Sequence, residues 1–597
     1  MKSFSKYVTP KRIISLLAKE RAKCARNGSL NGGNDGSPGG GLREGICKEI
    51  SSIMPPRNLW HNLPQRLRAR HESADVRNVM TILQTIKAHR KAVEVVGAGA
   101  VEAGSAKDGI AKDGNAKAGD YGYLLRLDSF VDDIISTVRS GEFNFDGGMS
   151  VVAKFKEDDE HGNAIYRPLC MYTSLKTKIL IALASKYLTT VLDPFLHNEI
   201  LAYRARREYH GQMKVTDGSD AIRRVKEFLG ALRPDDEVFV AECDIQKFFD
   251  IINHDIVLKC FDAIACRAKI PEYQTGIRRA LEAYLNSYSF AGNIMSLNGD
   301  DEFWRKAKSA HKGPVKRKCM FKWVDEQVLA EYYEAGDFPV QRGRLGVPQG
   351  GALSCIIANV VLDSVDRAAG LDVYCPDKLF VRYGDDIILL HRDSGECERL
   401  IEAYASQLRE HKLVSHKFHN IEQFKSGEKL TAGYWGVKSK STFRFGKGSG
   451  NAAEWIGFVG YEINRKGEVR LRKSSLDKRF GDINKRYHSC HLDDPKNVAS
   501  YMRHNRKKVA GIPSCLKRYP ALDLNTHSGY QMKSLDRYRW VKVKRLQQYF
   551  NAHKPLQRYL STCSVAQQMP EDLNFVQKYL ADRTYSFYHK LKEQSSR

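Results

Sequence analysis

The chain has 597 residues, of which 42% are hydrophobic and 28% charged, and its formal net charge at pH 7 is +26. A chain of this length has room for about two to four domains with cores of their own. So large a basic excess favours a polyanionic partner, because each phosphate that a cationic side chain neutralises releases counterions. No stretch of about 18 uninterrupted apolar residues is present, and the first residues lack the apolar core of a signal peptide. We therefore expect a cytoplasmic protein without a membrane partner.

The thirteen cysteines are scattered singly, with no Cys-x-x-Cys pair and no Cys/His spacing typical of metal ligands. This pattern argues against a structural zinc site and against a zinc-bearing endonuclease tail. It predicts free thiols in a reducing compartment, in agreement with the cytoplasmic expectation.

Residues 1–120 differ in character from the remainder and are predicted to form an accessory helical arm with flexible linkers. A helix is predicted to open at Pro10, and a second one to span about 73–93. Between them, residues 27–41 form a run of Gly, Asn and Ser that is too polar to bury a core. An imperfect five-residue repeat within 106–119 is rich in glycine and is predicted to be a linker.

The most informative stretch places two adjacent carboxylates, Asp385 and Asp386, between two short apolar runs. The runs at 379–381 and 387–390 have the composition of strands, and Gly384 supplies the backbone freedom of a hairpin tip. Two acids at such a tip repel each other unless a cation lies between them, as in enzymes that bind two Mg²⁺ ions. A plain surface turn is the alternative interpretation.

A third carboxylate, Asp244, follows an apolar run that reads as a strand, and two aromatic residues come soon after it. A strand end is where a two-metal site needs its third acid, although an Asp in this position also suits a helix N-cap. Further along, residues 346–359 form a glycine-rich turn that opens an apolar helix.

Taken in order, these segments resemble the bacterial reverse transcriptases, the family of group II intron and retron enzymes, and most closely its free-standing anti-phage defence members. The resemblance covers about residues 150–480 and rests on motifs at 166–169, 243–250, 348–351, 383–386, 416–417 and 458–461. Two residues depart from the usual family pattern: Gly384 stands where the family usually has Ala, and Cys355 stands where it usually has Pro. Neither change removes a metal ligand.

The resemblance implies an α+β right-hand polymerase with fingers, a palm built on an antiparallel sheet, and a helical thumb. The fingers would span 121–235, the palm 236–463 with an insertion near 290–340, and the thumb and C-terminal region 464–597. Residues 465–597 hold 29 Lys and Arg against 11 Asp and Glu, which suits contact with a nucleic-acid duplex. The insertion mixes lysines with Trp304, Phe321 and Trp323, which suits either a nucleic-acid contact or a neutral solvated segment.

The family motifs also imply roles for individual residues. Two Mg²⁺ ions, with Mn²⁺ as a substitute, would be held by Asp244, Asp385, Asp386 and the backbone carbonyl of Ile245. The nucleotide-binding residues implied are Arg167, Lys154 (or Lys156), Phe249, Gln349, Tyr383 and Lys417. The primer grip implied is formed by Phe458, Gly460 and Tyr461.

Some of these roles have structural alternatives that the sequence leaves open. Tyr383 would either support the primer end or pack under the hairpin, and Gln349 would either orient the templating pair or satisfy the loop at a helix start. Lys417 would either protonate pyrophosphate or be an ordinary surface lysine. Phe249, five residues after Asp244, would exclude a ribose 2′-hydroxyl or only pack the palm.

The function that the resemblance implies is RNA-directed DNA synthesis from deoxynucleoside triphosphates on an RNA template. A noncoding RNA copied in anti-phage defence is the biological role we expect, since the sequence shows no recognisable endonuclease tail. The alternatives are an intron maturase, in which RNA binding for splicing is primary, and an RNA-dependent RNA polymerase.

Overall fold

The computed structural model describes residues 1–26, 40–61, 74–103, 121–209, 211–309, 318–333, 338, 342–427, 429–448 and 450–472. The predicted basic thumb lies almost wholly outside the described residues, and so does the glycine-rich repeat at 106–119. None of the described helices is both long and apolar enough to cross a membrane. Helices and small sheets combine in a mixed α/β protein.

The α-helices of the described residues are α1 Phe4–Tyr7, α2 Pro10–Arg26, α3 Gly40–Ile53, α4 Ala74–Ala103, α5 Gly122–Ser140, α6 Leu175–Leu192, α7 Gly218–Ala231, α8 Phe248–Ile251, α9 His254–Ala268, α10 Ile277–Asn286, α11 Phe290–Asn293, α12 Asp301–Ser309, α13 Glu326–Ala330, α14 Ser354–Ala368, α15 Ser394–Glu410 and α16 Ala432–Gly436. Short 3₁₀ turns span Arg57–Leu59, Asp193–Phe195, Met295–Gly299, Arg342–Arg344 and Ile421–Phe424.

The strands are β1 Met149–Asp158, β2 Ala164–Tyr172, β3 Arg207–Tyr209, β4 Gln212–Lys214, β5 Phe239–Cys243, β6 Cys319–Phe321, β7 Lys378–Tyr383, β8 Asp386–His391, β9 Phe418–His419, β10 Lys425–Ser426, β11 Lys429–Leu430, β12 Ser439–Phe445, β13 Ala452–Ala453, β14 Trp455–Phe458, β15 Tyr461–Asn464 and β16 Val469–Leu471. The chain divides into two compact units. The first holds residues 1–215, 245–373 and 402–416, and the second holds 216–244, 374–401 and 417–597.

In the first unit, a three-stranded sheet has the order β1-β2-β6. β1 and β2 form an antiparallel pair, whereas β6 adds to the other edge of β2 in parallel. One face of this sheet packs on an aromatic cluster that includes Tyr166, Phe290, Trp304 and Phe321. Since β6 comes from the 290–340 segment, that segment supplies part of the sheet and of its core.

This burial bears on the aromatic residues of the 290–340 segment. Trp304 and Phe321 are fully buried, and the Trp323 ring stacks on Phe290 with centroids 4.1 Å apart. Trp304 and Phe321 are therefore not available for a nucleic-acid contact, because rings packed inside a core cannot stack on bases. Their hydrophobic area stabilises the sheet instead.

The amino-terminal helices agree with the sequence in part. α2 begins at Pro10, as predicted, because proline is suited to the first helical turn. Two features differ: the polar run predicted to extend to Gly41 gives way at Gly40 to helix α3, and Cys24 of α2 forms a disulfide with Cys47 of α3. The prediction of free thiols is wrong for this pair, since packing of α2 against α3 brings the two Cα atoms to 5.7 Å.

The second unit is built on a larger sheet with the order β13-β12-β5-β8-β7, and β9 also pairs with β12. Neighbouring strands in the series β12, β5, β8 and β7 are antiparallel, whereas β13 and β9 join β12 in parallel. β5 and β8 are apolar and buried along most of their length, so their ends are held firmly. A separate antiparallel sheet follows in the order β14-β15-β16.

Candidate active site

The carboxylates predicted from sequence come together at one end of the second unit's main sheet. In the antiparallel ladder Cys243 of β5 pairs with Ile387 of β8, so the next residue on each side, Asp244 and Asp386, are cross-strand neighbours. Asp385 lies on the two-residue turn between β7 and β8, where Tyr383 pairs with Asp386. Gly384 opens this turn with a φ of +74°, a value that favours glycine.

Electrostatic repulsion within this group is evident at Asp386. Its pKa is raised from 3.8 to about 7, first by burial of the carboxyl among protein atoms and then by the charges of Asp244 and Asp385. The residue still keeps access to solvent. Burial and the two neighbouring carboxylates thus both favour the protonated form of this carboxyl.

Two lysines of the neighbouring strand offset part of this charge. Lys438, just before β12, donates from Nζ to Oδ2 of Asp244 at 2.8 Å, and Lys440 donates to Oε2 of Glu242 at 2.5 Å. Burial lowers the pKa of Lys438, but its hydrogen bond to Asp244 and the nearby carboxylates outweigh that effect and raise it. The second pair is buried, and the Lys440 ammonium also lies over the Tyr434 ring, 4.9 Å from its centroid.

The sequence motifs did not indicate Lys438 or Lys440, and they pointed instead to Lys417 as a nucleotide-binding lysine. Lys417 is exposed just before β9, whereas Lys438 contacts a carboxylate of the group. The available signal was the alternation of two lysines within a strand-like run, which places both side chains on one face of a sheet. This face meets the carboxylates because β12 pairs with β5, a strand about 200 residues earlier in the chain.

The group fits a divalent cation in its chemistry. Carboxylate oxygens are the hard ligands that Mg²⁺ and Mn²⁺ prefer. Among the residues that the structure describes, however, no three His, Cys, Asp or Glu side chains are arranged so that they could hold a metal ion together. Lys438 holds one of the two carboxylate oxygens of Asp244. Ile245, the expected backbone ligand, lies in the first unit and forms an isolated antiparallel bridge with Ser415.

Tyr383, next to the turn, has its hydroxyl engaged by the backbone of its own unit. The pKa of Tyr383 is raised by burial and by Asp217, while a hydrogen bond from the backbone of Gly218, at the start of α7, opposes that rise. Asp217 caps the same helix. This arrangement agrees with the alternative in which Tyr383 packs under the hairpin.

The predicted primer grip forms a tight hairpin of the second unit. Phe458 of β14 pairs with Tyr461 of β15, and the two residues between them, Val459 and Gly460, have φ values of +41° and +84°. Two positive φ values are typical of the turn that best matches strand twist. A β-branched residue such as Val459 rarely adopts one, so this tip is strained.

In the first unit, the two predicted phosphate contacts are direct neighbours. Lys154 of β1 and Arg167 of β2 pair across the antiparallel ladder, and both are exposed. Lys156, the alternative to Lys154, forms an ion pair with Glu157 beside a bulge. Like charges directly opposite each other destabilise a sheet, so the pair at 154 and 167 suits an anionic ligand.

Gln349 is held in place by a buried acid that sequence reasoning did not assign. Its Nε2 donates to Oδ1 of Asp250 at 2.8 Å, and its carbonyl accepts from the backbone of Cys170 at 2.8 Å. The pKa of Asp250 is raised to about 6, mainly by burial. The glycine after this turn is needed for close packing, since a Cβ on Gly351 would lie 2.0 Å from the Tyr284 hydroxyl.

Phe249, the predicted steric gate, lies in the short helix α8 of the first unit. The residue is half-buried, and its ring meets that of Phe248 edge-on with centroids 5.3 Å apart. Part of the ring is therefore accessible, as contact with a ligand requires.

Comparison with known proteins adds little. No protein-family model and no curated protein sequence matches the chain. Among solved structures, it is similar to apo telomerase from Candida tropicalis truncated from the C-terminal domain, at 13% identity over 54% of each chain with a TM-score of 0.31. Apo telomerase from Candida tropicalis gives 13% identity over 69% of this chain and 66% of that one, with a TM-score of 0.30. Telomerase from Candida albicans, in complex with a TWJ fragment of telomeric RNA, gives 12% identity over 74% of this chain and 63% of that one, with a TM-score of 0.31. The chain thus matches less than two thirds of each of these proteins, and similarity at this level leaves the function to be inferred from the site.

Proposed function

We propose that the protein is an RNA-directed DNA polymerase that uses two divalent metal ions, Mg²⁺ or Mn²⁺. The observation that carries the proposal is the placement of Asp244 beside Asp386, at the ends of two buried antiparallel strands, with Asp385 on the adjoining turn. Two buried strands carry Asp244 and Asp386, and the charges of Asp244 and Asp385 contribute, after burial, to the raised pKa of Asp386.

In this proposal Asp244, Asp385 and Asp386 hold the metal ions. When bound, such ions lower the pKa of a primer 3′-hydroxyl and neutralise the charge that develops on the transferred phosphate. Lys438 neutralises Asp244 when no ion is bound. In the proposal its ammonium and a cation compete for this carboxylate.

The first unit contributes the residues proposed to bind the nucleotide. Arg167 and Lys154 form an exposed cationic pair for the triphosphate of a deoxynucleotide. Gln349, fixed by Asp250, is proposed to orient the templating pair, and Phe249 to exclude a 2′-hydroxyl. The RNA template is proposed to be noncoding and the role to be anti-phage defence in the cytoplasm, on the strength of the sequence resemblance alone.

Primer extension on an RNA template with deoxynucleotides tests the activity. Asp244→Asn, Asp385→Asn and Asp386→Asn should each lose most nucleotide addition, by roughly a hundredfold or more, while RNA binding stays nearly intact. Asp235→Asn, an exposed aspartate of the same unit, is the matched control and should retain full activity. Undiminished synthesis by Asp385→Asn would refute the assignment, and equal loss of binding and synthesis would make the turn structural.

The same variants separate the proposed function from its alternatives. Phage resistance of cells carrying the gene with its flanking noncoding sequence should disappear in the Asp385→Asn/Asp386→Asn form. Splicing of a neighbouring intron that survives this double substitution would identify a maturase instead. A wild-type enzyme that prefers ribonucleotides would identify an RNA polymerase.

A further inference from the structure

The sheet of the first unit carries a row of three cations, one on β1, one on β2 and one directly after β6. Lys154 of β1 pairs with Arg167 of β2 in the antiparallel register. On the other edge Tyr166 pairs with Phe321 in the parallel register, so the next residue, Lys322, continues beside Arg167. All three residues are exposed. Because neighbouring strands lie about 4.8 Å apart, the row spans about 10 Å across the sheet.

The three side chains share the face opposite the aromatic core. Along each strand, side chains alternate between the two faces. The buried cluster includes Tyr166 and Phe321, and Phe155 packs against it. Arg167 follows Tyr166, Lys322 follows Phe321, and Lys154 precedes Phe155. These three cations therefore point away from the cluster.

A fourth cation, Lys247, lies close to this row. Its pKa is lowered by burial and, after the opposing effect of Asp250, by the charges of Lys156, Lys322 and Arg167. Lys247 also has a left-handed backbone with a φ of +48°, which is unfavourable for a residue with a side chain.

Among the described residues, Glu157 and Asp250 interact electrostatically with cations of this group. Glu157 is exposed, and its pKa is lowered first by its hydrogen bond to Lys156 and further by the charges of Lys247 and Lys322. Asp250 is buried and bound to Gln349. Repulsion among cations placed directly across strands destabilises a sheet unless an anion neutralises them, and a linear row of three matches a chain of phosphates.

We infer that Lys322, directly after the strand that the 290–340 segment adds to the sheet, is a third polyphosphate-binding residue beside Lys154 and Arg167. The segment therefore completes the phosphate site through β6, while its aromatic rings form the core that holds β6 in place. The identification of this polyphosphate as part of an incoming nucleotide rests on the proposed function. Binding of a polyphosphate chain by the row does not depend on that function.

Calorimetry with inorganic tripolyphosphate tests this inference on the full-length protein at low ionic strength, in EDTA so that the carboxylate site plays no part. Lys322→Ala should weaken tripolyphosphate binding by roughly tenfold or more, the effect of losing one charged hydrogen-bond partner, and Lys322→Arg should retain most of the affinity. Lys318→Ala is the matched control, because Lys318 is also an exposed lysine and precedes Lys322 by about 13 Å of strand. It should change the affinity by less than about twofold.

Thermal melting without phosphate completes the test. Lys322→Ala should melt at or above the wild-type temperature, since the substitution removes a like charge from the row, and tripolyphosphate should raise its melting temperature less than that of wild type. Equal tripolyphosphate affinity in Lys322→Ala and Lys318→Ala, no tripolyphosphate binding by wild type, or a lowered melting temperature would each overturn the inference.

A single-stranded RNA oligonucleotide distinguishes a nucleotide site from a backbone contact. Lys322→Ala should leave RNA affinity close to that of Lys318→Ala. Loss of RNA binding with unchanged tripolyphosphate binding would overturn the inference. Lys322-dependent tripolyphosphate binding in a protein without polymerase activity would instead uphold the site and refute the proposed function.

Discussion

The Lys438 ammonium lies 2.8 Å from Oδ2 of Asp244, on an oxygen that a metal ion would take in the proposed polymerase. Lys438 and the ion therefore compete. We expect Lys438→Met to bind Mn²⁺ about two- to fivefold more tightly than wild type, the small gain reflecting an ammonium that is largely exposed. Lys447→Met, an exposed lysine of the same unit, serves as the control for loss of one positive charge. Weaker Mn²⁺ binding in Lys438→Met than in Lys447→Met would show that Lys438 supports the ion rather than competing with it.

The raised pKa of Asp386 predicts how stability depends on pH without metal. The carboxyl titrates near 3.8 when unfolded and at about 7 when folded, so between these values the folded protein binds more protons. Stability from this residue is thus present below about pH 4 and is lost as the pH rises towards 7. Thermal melting in EDTA should show a smaller decline in Asp386→Asn than in wild type, and Mg²⁺ should reduce the wild-type decline. A decline in Asp386→Asn as steep as in Asp235→Asn would contradict this account.

The accessible ring of Phe249 predicts selection between sugars. Phe249→Val should raise the use of ribonucleotides relative to deoxynucleotides by at least about tenfold, because removing the ring opens space for a 2′-hydroxyl. Phe249→Tyr keeps the ring and should retain selection. Single-nucleotide primer extension gives the ratio of kcat/KM values for the two sugars. If Phe249→Val loses activity without gaining ribonucleotide use, the ring is structural.

The bond between Asp250 and Gln349 predicts coupling between the two residues. Asp250→Ala should cost about 1–3 kcal/mol of unfolding free energy, because the Gln349 amide loses its buried partner. In a Gln349→Ala background the same substitution should cost less, with a coupling energy of about 0.5–3 kcal/mol. Chemical denaturation measures the cycle, and misincorporation on an RNA template should rise in both single variants. Additive costs would show that the hydrogen bond contributes nothing to stability.

Burial of Trp304 predicts a stability effect rather than a binding effect. Trp304→Ala should lower the unfolding free energy by about 3–5 kcal/mol, because it leaves a cavity in the aromatic cluster. Lys306→Ala, on the exposed side of the same helix, should stay within about 0.5 kcal/mol of wild type. Denaturant titration provides both values. A stable Trp304→Ala protein with weakened RNA affinity would restore the nucleic-acid interpretation of this ring.

Local sequence patterns predicted the hairpin that carries Asp385 and Asp386, and the strand that ends before Asp244. Both elements are short apolar runs whose boundaries are marked by glycine or by charged residues, so neighbouring residues suffice to define them. The sequence resemblance then associated the three acids, and the register of β5 with β8 places two of them side by side.

The features that escaped prediction depend on contacts between distant parts of the chain. Lys438 meets Asp244 only because β12 pairs with β5, and Cys24 meets Cys47 only because α2 packs on α3. Lys322 joins its row through a parallel pairing that no turn between neighbours dictates. Helix α3 forms in spite of its glycines because its apolar side, with Ile46 and Ile50, is buried.

The parallel pairing of β2 with β6 also sets an order for folding. Ala164 and its partner Cys319 are separated by more than 150 residues, so the third strand of the sheet is synthesised long after the first two. Until then β2 presents an open edge, and the face that will cover the aromatic cluster has no Trp304 or Phe321 to pack on. A fragment that ends at residue 235 would lack β6 and would leave this edge of β2 unpaired. Such a fragment is therefore a poor choice for isolating the sheet.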